Sequence, residues 1–406
     1  MPMPCLARFV RLTVGSIVAA GAAQAATLAE VPVAPFTWQT ATPESQGMAT
    51  ARLDAWRDRL AAHHTVALLV VRHDRIVYEW YAPGTTASTK LGTASAAKGL
   101  VGGMAAAVAI NDGLIHLTDR AAQYIPQWRD DPLKSKITLR ELGDHTSGLD
   151  DAEIETPGGE VPHDQLTGWQ GDFWKRRPVP RDPFTISRDL TPMLYPPGQH
   201  TSYSNPAIGM LMYAVTVALR DSHAPEPDIR TLLRDRVMRP IGVADRDWQA
   251  GYGETDTVDG LPLVADWGGG SYTARAMAQI GRLMLREGDW DGRRLLTREA
   301  VRAVSQGAGT PHPPPRYSPG DGAIGWWANR EGRIPDLPRD AYYAAGAGNR
   351  LVIVIPSLQA IVVRNGLLLD PAMPYFEAEN QYVFIPAMEV LGVPVVVPYR
   401  HRRVDQ

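Results

Sequence analysis

Short apolar runs come in two pairs, far apart along the chain. Val66–Val71 and Arg75–Tyr81 flank a turn at His73-Asp74, and Leu351–Ile355 and Ala360–Val363 are joined through Pro356-Ser357-Leu358. Each pair predicts a β-hairpin. The hairpins lie about 270 residues apart, and both can bury their apolar faces if they share one antiparallel sheet with the first and last helices packed on it. A helix is expected over Thr50–Ala62, where Leu53, Trp56 and Leu60 share one face. Ser95–Asn111 is alanine-rich and apolar nearly all round, which predicts a central buried helix ending at Asp112-Gly113. Thr138-Leu139-Arg140-Glu141 is a capping box for a short helix closed by Gly148. Pro206–Leu219, about Asp228–Val237 and Thr273–Arg286 supply further helices. Residues 150–200 are the least regular, and a loop so long and so rich in aromatics (Trp169, Phe173, Trp174, Phe184) is expected to line a site. Residues 26–42 read as an extended lead-in and Pro311–Pro319 as a proline-rich connector. There is no internal repeat.

Composition narrows the class. With 406 residues, 44% of them hydrophobic and 21% charged, the chain is neither disordered nor collagen-like and can bury a large core. A formal charge of −3 gives no basic excess for nucleic acid. The sole cysteine, Cys5, rules out a disulfide scaffold or a thiolate metal site. Arg8 and Arg11, the apolar stretch Leu12–Ala23 and then Ala23-Gln24-Ala25 have the three regions of a secretory signal peptide, 1–25. The expected location is therefore secreted or periplasmic, with no stable membrane insertion after cleavage. The apolar run is shorter than the ~20 residues of a spanning helix, and no later stretch reads as long and apolar enough.

Ser95 opens the apolar helix and Lys98 follows three residues on, so both side chains share one face near its positive end. A serine hydroxyl needs a base, and a desolvated lysine with a lowered pKa can be one. S-x-x-K alone also fits an N-cap serine beside a solvated lysine, but a lysine inside so apolar a helix would be buried without purpose. In Tyr203-Ser204-Asn205 the phenol can relay a proton and the asparagine can orient the lysine or a substrate carbonyl; taken by itself, a turn tyrosine with a capping asparagine fits better. His145 is expected to satisfy a local turn. His63-His64 lacks a carboxylate at ligand spacing and no H-E-x-x-H occurs, so no metal is expected. Gly268-Gly269-Gly270 lacks the dinucleotide pattern and reads as a tight turn, and no G-x-S-x-G elbow is present. No cofactor is implied.

Ser95-Ala96-Ala97-Lys98 resembles the S-x-x-K motif of the serine beta-lactamase and penicillin-recognising family, and Tyr203-Ser204-Asn205 its Y-x-N motif. Ile137–Leu149, Tyr195–Asn205, Asp289-Trp290-Asp291-Gly292 and the hairpin ending Val362–Gly366 follow in the same order. The resemblance implies an α/β fold: an antiparallel sheet flanked by N- and C-terminal helices (26–116 and 269–406) with an inserted mostly helical domain (117–268) and a cleft between them. It departs at the third motif, where Ala344-Ala345-Gly346-Ala347-Gly348 stands in place of K-T-G or H-x-G. No cation is available at 344, which tells against lactamase or peptidase activity. The A-A-G-x-G form, with the pairs Trp326-Trp327 and Tyr342-Tyr343, resembles the branch of 6-aminohexanoate-dimer hydrolases and family VIII carboxylesterases. Asn349 and Arg350 are candidates for the lost polar anchor. The implied function is an exported serine hydrolase of a small ester or amide. Ser95 would be its nucleophile, Lys98 its base, Tyr203 its proton relay and Asn205 the orienting group, with the Ser95 and Ala347 amides as oxyanion hole. The alternatives are a beta-lactamase or D-Ala-D-Ala peptidase, and a non-catalytic ligand sensor of the same fold. Oligomeric state is not legible.

Overall fold

The first hairpin joins the last one directly. Strand β1 (Thr65–Arg72) pairs with β2 (Arg75–Tyr81) on one side and, on the other, with the final strand of a five-stranded run. That run is β3 (Asp321–Gly322), β4 (Trp327–Ala328), β5 (Tyr342–Gly346), β6 (Arg350–Ile355) and β7 (Ala360–Gly366). The order is β3-β4-β5-β6-β7-β1-β2, seven strands, all neighbours antiparallel. His73 and Asp74 both take the left-handed conformation that a two-residue hairpin turn requires. The computed structural model describes residues 31–394 apart from 157–158, 176–181, 310 and 312–319, together with Met1. The expected signal peptide and most of the Pro311–Pro319 connector lie outside those residues.

The central strands are apolar on both sides, and their period of two sorts the side chains into two cores. Leu68, Val70, Ile353 and Val362 join Leu53, Trp56 and Leu60 of helix Thr50–Ala62 and Phe384, Ala387 and Met388 near the chain's last described helix. Trp56 Nε1 donates to the Tyr382 carbonyl at 2.8 Å, so the first and last helices are tied on that face as expected. Leu69, Val71, Val352 and Ile361 face the other way, into a core shared with the helices between residues 94 and 285.

The helix Ala94–Asn111 runs through this second core. Its close packing explains its small residues: a Cβ on Gly102 would lie 2.4 Å from Asp266 Oδ2, and one on Gly103 would lie 2.6 Å from the Ile324 carbonyl. Over Lys98–Gly103 the helix widens to the π form, a local change that often accompanies function. By length and apolarity this segment would pass for a membrane span, contrary to the sequence reading; 78% of it is buried inside the protein, where neighbouring elements supply the apolar surroundings.

Elsewhere the helices fall close to expectation, at Asn205–Asp221, Ile229–Leu233 continuing to Met238, and Ala274–Leu285. The capping box forms, but its helix ends at Gly143 rather than at Gly148. His145 turns left-handed (φ 64°) and breaks it, while Gly148 serves the next turn, where a Cβ would sit 2.0 Å from the Tyr195 carbonyl. Residues 150–200 hold two short helices that the pattern did not predict, Gly168–Trp174 and Pro183–Asp189. The second carries a readable start, Asp182 capping the Thr185 amide at 2.8 Å ahead of Pro183. Phe173 and Phe184 do not line a site; both pack on Trp267 in the core, at 5.0 and 5.1 Å between ring centroids.

Candidate active site

The turn that carries Ser95 is stitched to two other segments. The Thr93 hydroxyl donates to the Gly269 carbonyl at 2.6 Å and its amide to Gly270 at 3.2 Å. Ala94 is forced left-handed, φ 47°, to bring the half-buried Ser95 into the cleft. From the other side β5 presses in: a Cβ on Gly346 would meet the Thr93 carbonyl at 2.2 Å and the Ser95 nitrogen at 2.9 Å, so that strand end has no room for a side chain.

Lys98 lies one turn below, buried at 3% exposure. Its Nζ has three acceptors: Ser95 Oγ at 3.2 Å, Asn205 Oδ1 at 2.7 Å and the Trp267 carbonyl at 2.5 Å. Loss of solvent pushes its pKa down to about 8, the carboxylates of Glu153, Asp151 and Asp266 offsetting part of that cost. A lysine so placed is partly neutral near neutral pH. A free amine within reach of a serine hydroxyl can take its proton.

Tyr203 Oη donates to the same oxygen at 2.9 Å, and Lys98 Nζ lies over the Tyr203 ring, 4.6 Å from its centroid. His145 packs at a tilt against the Tyr203 ring at 4.6 Å and stacks on Trp327 at 5.6 Å, and its Nδ1 accepts the Ser204 amide at 3.3 Å. Burial first and Lys98 second push that imidazole down to about 3, so it is a neutral support rather than a base. Asn205 starts the helix Asn205–Asp221, which Ser204 caps. Its Nδ2 and its amide both donate to Asp151 Oδ1, at 3.0 and 2.9 Å. That leaves Oδ1 facing the lysine.

Ser95 and Tyr203 line a cavity of about 810 Å³ whose walls include Ala347, Trp174, Trp327, Arg350 and Leu368, with Lys98 and Asn205 buried behind them. Ser95, Lys98, Tyr203 and Asn205 are thus brought together, and Ala347 stands in the turn after β5 on the same cavity. Asn349 is not available as an anchor. It is fully buried, its side chain spent on the Leu369 amide and the Tyr375 carbonyl. Arg350 does line the cavity, with Nε on the Gly366 carbonyl at 3.2 Å. Gly269 and Gly270 form the expected tight turn, both with positive φ, and also wall the cavity.

Sequence reasoning missed several groups here. Nothing in the one-dimensional pattern marks the Trp267 carbonyl as a lysine acceptor, whereas Asp151, two residues after the H-T-S-G-L turn, is a visible acid without an assigned task. On one wall Glu153, Glu160 and His163 bring their ligating atoms within 4.8 Å of one another. His163 lies flat on Trp174 at 3.7 Å. Burial opposes its charge, but the two glutamates outweigh it and hold the imidazolium up to about 9. Ion pairing of that cation accounts for the cluster, with Nε2 at 3.4 Å from Glu160 and 3.8 Å from Glu153.

A serine held between a buried lysine and a tyrosine, at the edge of an antiparallel sheet, defines a class of serine hydrolase. The beta-lactamase family model matches residues 53–365, and the chain belongs to that family. A 6-aminohexanoate-dimer hydrolase of Paenarthrobacter ureafaciens is 28% identical over 261 residues, which span 63% of this chain and 61% of that protein. Among solved structures, a putative 6-aminohexanoate-dimer hydrolase from Bacillus anthracis superposes with a TM-score of 0.64 at 20% identity, covering 89% of each chain. A family VIII carboxylesterase superposes at 0.56 and 16% identity, covering 86% of this chain and 99% of the other. At those identities the structures share the fold.

Proposed function

We propose that the protein is an exported serine hydrolase that cleaves carboxylic esters or linear amides through an acyl-enzyme. One observation carries this reading: Lys98 Nζ and Tyr203 Oη converge on Ser95 Oγ, at 3.2 and 2.9 Å, in a cavity open to a substrate. Lys98 takes the Ser95 proton as Oγ bonds to the carbonyl carbon, and the Ser95 and Ala347 amides receive the oxyanion. Tyr203 passes a proton to the leaving oxygen or nitrogen as that bond breaks, and Lys98 restores it. Water then attacks the acyl-enzyme, giving one proton to the relay, and Ser95 leaves with a proton as the acid is released. Asn205 holds Lys98 throughout.

The absence of a cation at Ala344 supports an ester or linear amide over a lactam or D-peptide, as does the name of the curated relative, a dimer hydrolase. Ala344 is fully buried with its Cβ against Gly99, so nothing polar reaches the cavity from that position. The test is a panel of nitrophenyl esters, linear amides and nitrocefin on wild type and Ser95→Ala. Turnover of esters that vanishes with Ser95→Ala, along with labelling by an acylating phosphonate, is the expected result. Labelling retained in Ser95→Ala moves the nucleophile elsewhere. Dominant nitrocefin turnover makes it a lactamase, and stoichiometric acylation without turnover makes it a sensor. Export is tested by N-terminal sequencing of secreted material, where an intact Met1 would refute cleavage after Ala25.

A further inference from the structure

The turn between β5 and β6 carries the Ala347 amide, and it is held by side chains from outside the hairpin. Tyr375 Oη donates to the Gly346 carbonyl at 2.7 Å and accepts the Asn349 amide at 3.0 Å, so one phenol spans the turn from its first residue to its fourth. Arg364, fully buried, donates to the Gly348 carbonyl and to the Asn349 carbonyl, the latter at 2.9 Å. The turn itself is strained toward a single shape by positive φ at Gly348 (81°) and Asn349 (53°).

The Gly346 carbonyl and the Ala347 N–H belong to one peptide group. That group is planar and trans, so its C=O and N–H point in opposite directions. A hydroxyl that fixes the carbonyl fixes the aim of the N–H as well. The Cα of Gly346 is wedged against the Ser95 nitrogen, so this peptide begins beside the other oxyanion donor. Rotating it by a few tens of degrees would break the Tyr375 bond and turn the Ala347 N–H off its target.

We propose that Tyr375 is a positioning residue of the oxyanion hole: by holding the Gly346 carbonyl it aims the Ala347 amide at the substrate oxygen. The inference rests on the acyl-enzyme reading above and gives work to a residue outside all three sequence motifs. Burial and the neighbouring Glu379 push the phenol's pKa well above its ordinary value, so the donor proton is retained through the working pH range. Glu379, itself pushed up to about 8 by burial, lies beside the same hydroxyl and shares a hydrogen bond with it, which helps to fix the ring where it meets the Gly346 carbonyl.

The test is Tyr375→Phe, which keeps the ring and removes only the hydroxyl. Loss of one oxyanion donor costs about 10²–10³ in kcat, so loosening one should cost about tenfold, with KM changed by less than twofold. A merely structural role is separated by comparing a nitrophenyl ester with its thionoester, whose larger, weakly accepting sulfur fits a tight oxyanion hole badly. The wild type should favour the oxygen ester strongly, and Tyr375→Phe should shrink that preference several-fold. An unchanged kcat, or a lowered kcat with the same oxygen-to-sulfur preference, overturns the proposal. Should Tyr375→Phe not fold, 3-fluorotyrosine at position 375, a stronger donor of the same shape, should raise the preference; no change there overturns it equally. Ser95→Ala run alongside keeps the two ideas apart, since turnover surviving in that variant removes the nucleophile assignment and not the clamp alone.

Discussion

On the floor of the cavity each reacting group rests on another buried group: Lys98 on Asn205 and the Trp267 carbonyl, Asn205 on Asp151, Tyr203 on His145. On the walls the charges are only partly buried. Arg350 has its Nε on a backbone carbonyl, and the imidazolium of His163 shares two glutamates at the surface. The floor is built on helix starts and a strand end, while the wall around His163 is built on a single helical turn and the short paired strands Glu155–Thr156 and Gly159–Glu160. Rigid support is what a reaction needs from the groups that move protons, while loops let the same chemistry meet different substrates. A change on the floor should therefore lower kcat for every substrate, and a change on the walls should alter KM for some.

The largest effect is expected at Lys98. Lys98→Met keeps most of the volume but removes the base, and kcat/KM for any ester should fall by on the order of 10³. Thermal melting run in parallel shows whether the fold survives. In the wild type the acylation rate should rise with pH to a plateau above about 8, because Lys98, held down to about 8, works as the neutral amine and loses its proton over that interval. Lys98→Met should lose that inflection. A pH profile identical to wild type would leave the lysine without its role.

Tyr203→Phe should divide substrates by leaving group. An amine must be protonated as it departs, so linear amide turnover should fall about 100-fold. Nitrophenolate leaves unaided, and nitrophenyl ester hydrolysis should fall by less than about tenfold. Amide turnover left intact would contradict the assigned relay.

The contrast between floor and walls also governs what the sequence revealed. Ser95 and Lys98 were legible from their spacing within one helix turn, and Tyr203 and Asn205 from the resemblance carried by the order of motifs along the chain. The two hairpins were legible because strands buried on both faces read as plain apolar runs. The walls were not: Glu153, Glu160 and His163 meet through an irregular loop with no periodicity to read. Asn349 looked like a substrate anchor beside Arg350, yet one residue along a turn points its side chain into the protein rather than into the cavity. Tyr375 sits in a short helix after the last strand, and only the folded chain shows it touching the turn that carries Ala347.

A smaller and more selective effect is expected on the wall. Arg350→Ala removes a half-buried guanidinium, and a substrate whose terminal carboxylate used it loses a charged hydrogen bond worth about 1.5 kcal/mol. KM should rise about tenfold for such substrates and stay within twofold for uncharged esters. Equal changes for both kinds would make Arg350 part of the scaffold instead.

The smallest effect concerns stability, and it runs against activity. Burial holds Asp144 up to about 7 and Asp151 and Glu379 up to about 8. Unfolded, these carboxyls would titrate near 4, so from pH 4 upward the folded protein binds more protons than the unfolded chain. The stability they contribute is full at low pH and is lost as the pH climbs through 7 and 8. His163, held up to about 9 once the glutamates outweigh its burial, acts in the same sense above pH 6.5. Among the groups that act oppositely, His145 and Lys98 lie nearest this window. His145, pushed down to about 3 by burial, costs stability only below pH 6.5, where the unfolded chain takes up its proton. Lys98, lowered to about 8, begins to act near the top of the window and acts mainly above it, so it trims the fall without reversing it. Between pH 6.5 and 8 the melting temperature should accordingly fall by a few degrees while acylation speeds up. A flat or rising melting temperature across that interval would mean these carboxyls are ionised in the folded protein, and Asp151 would then hold Asn205 as an anion rather than as an acid.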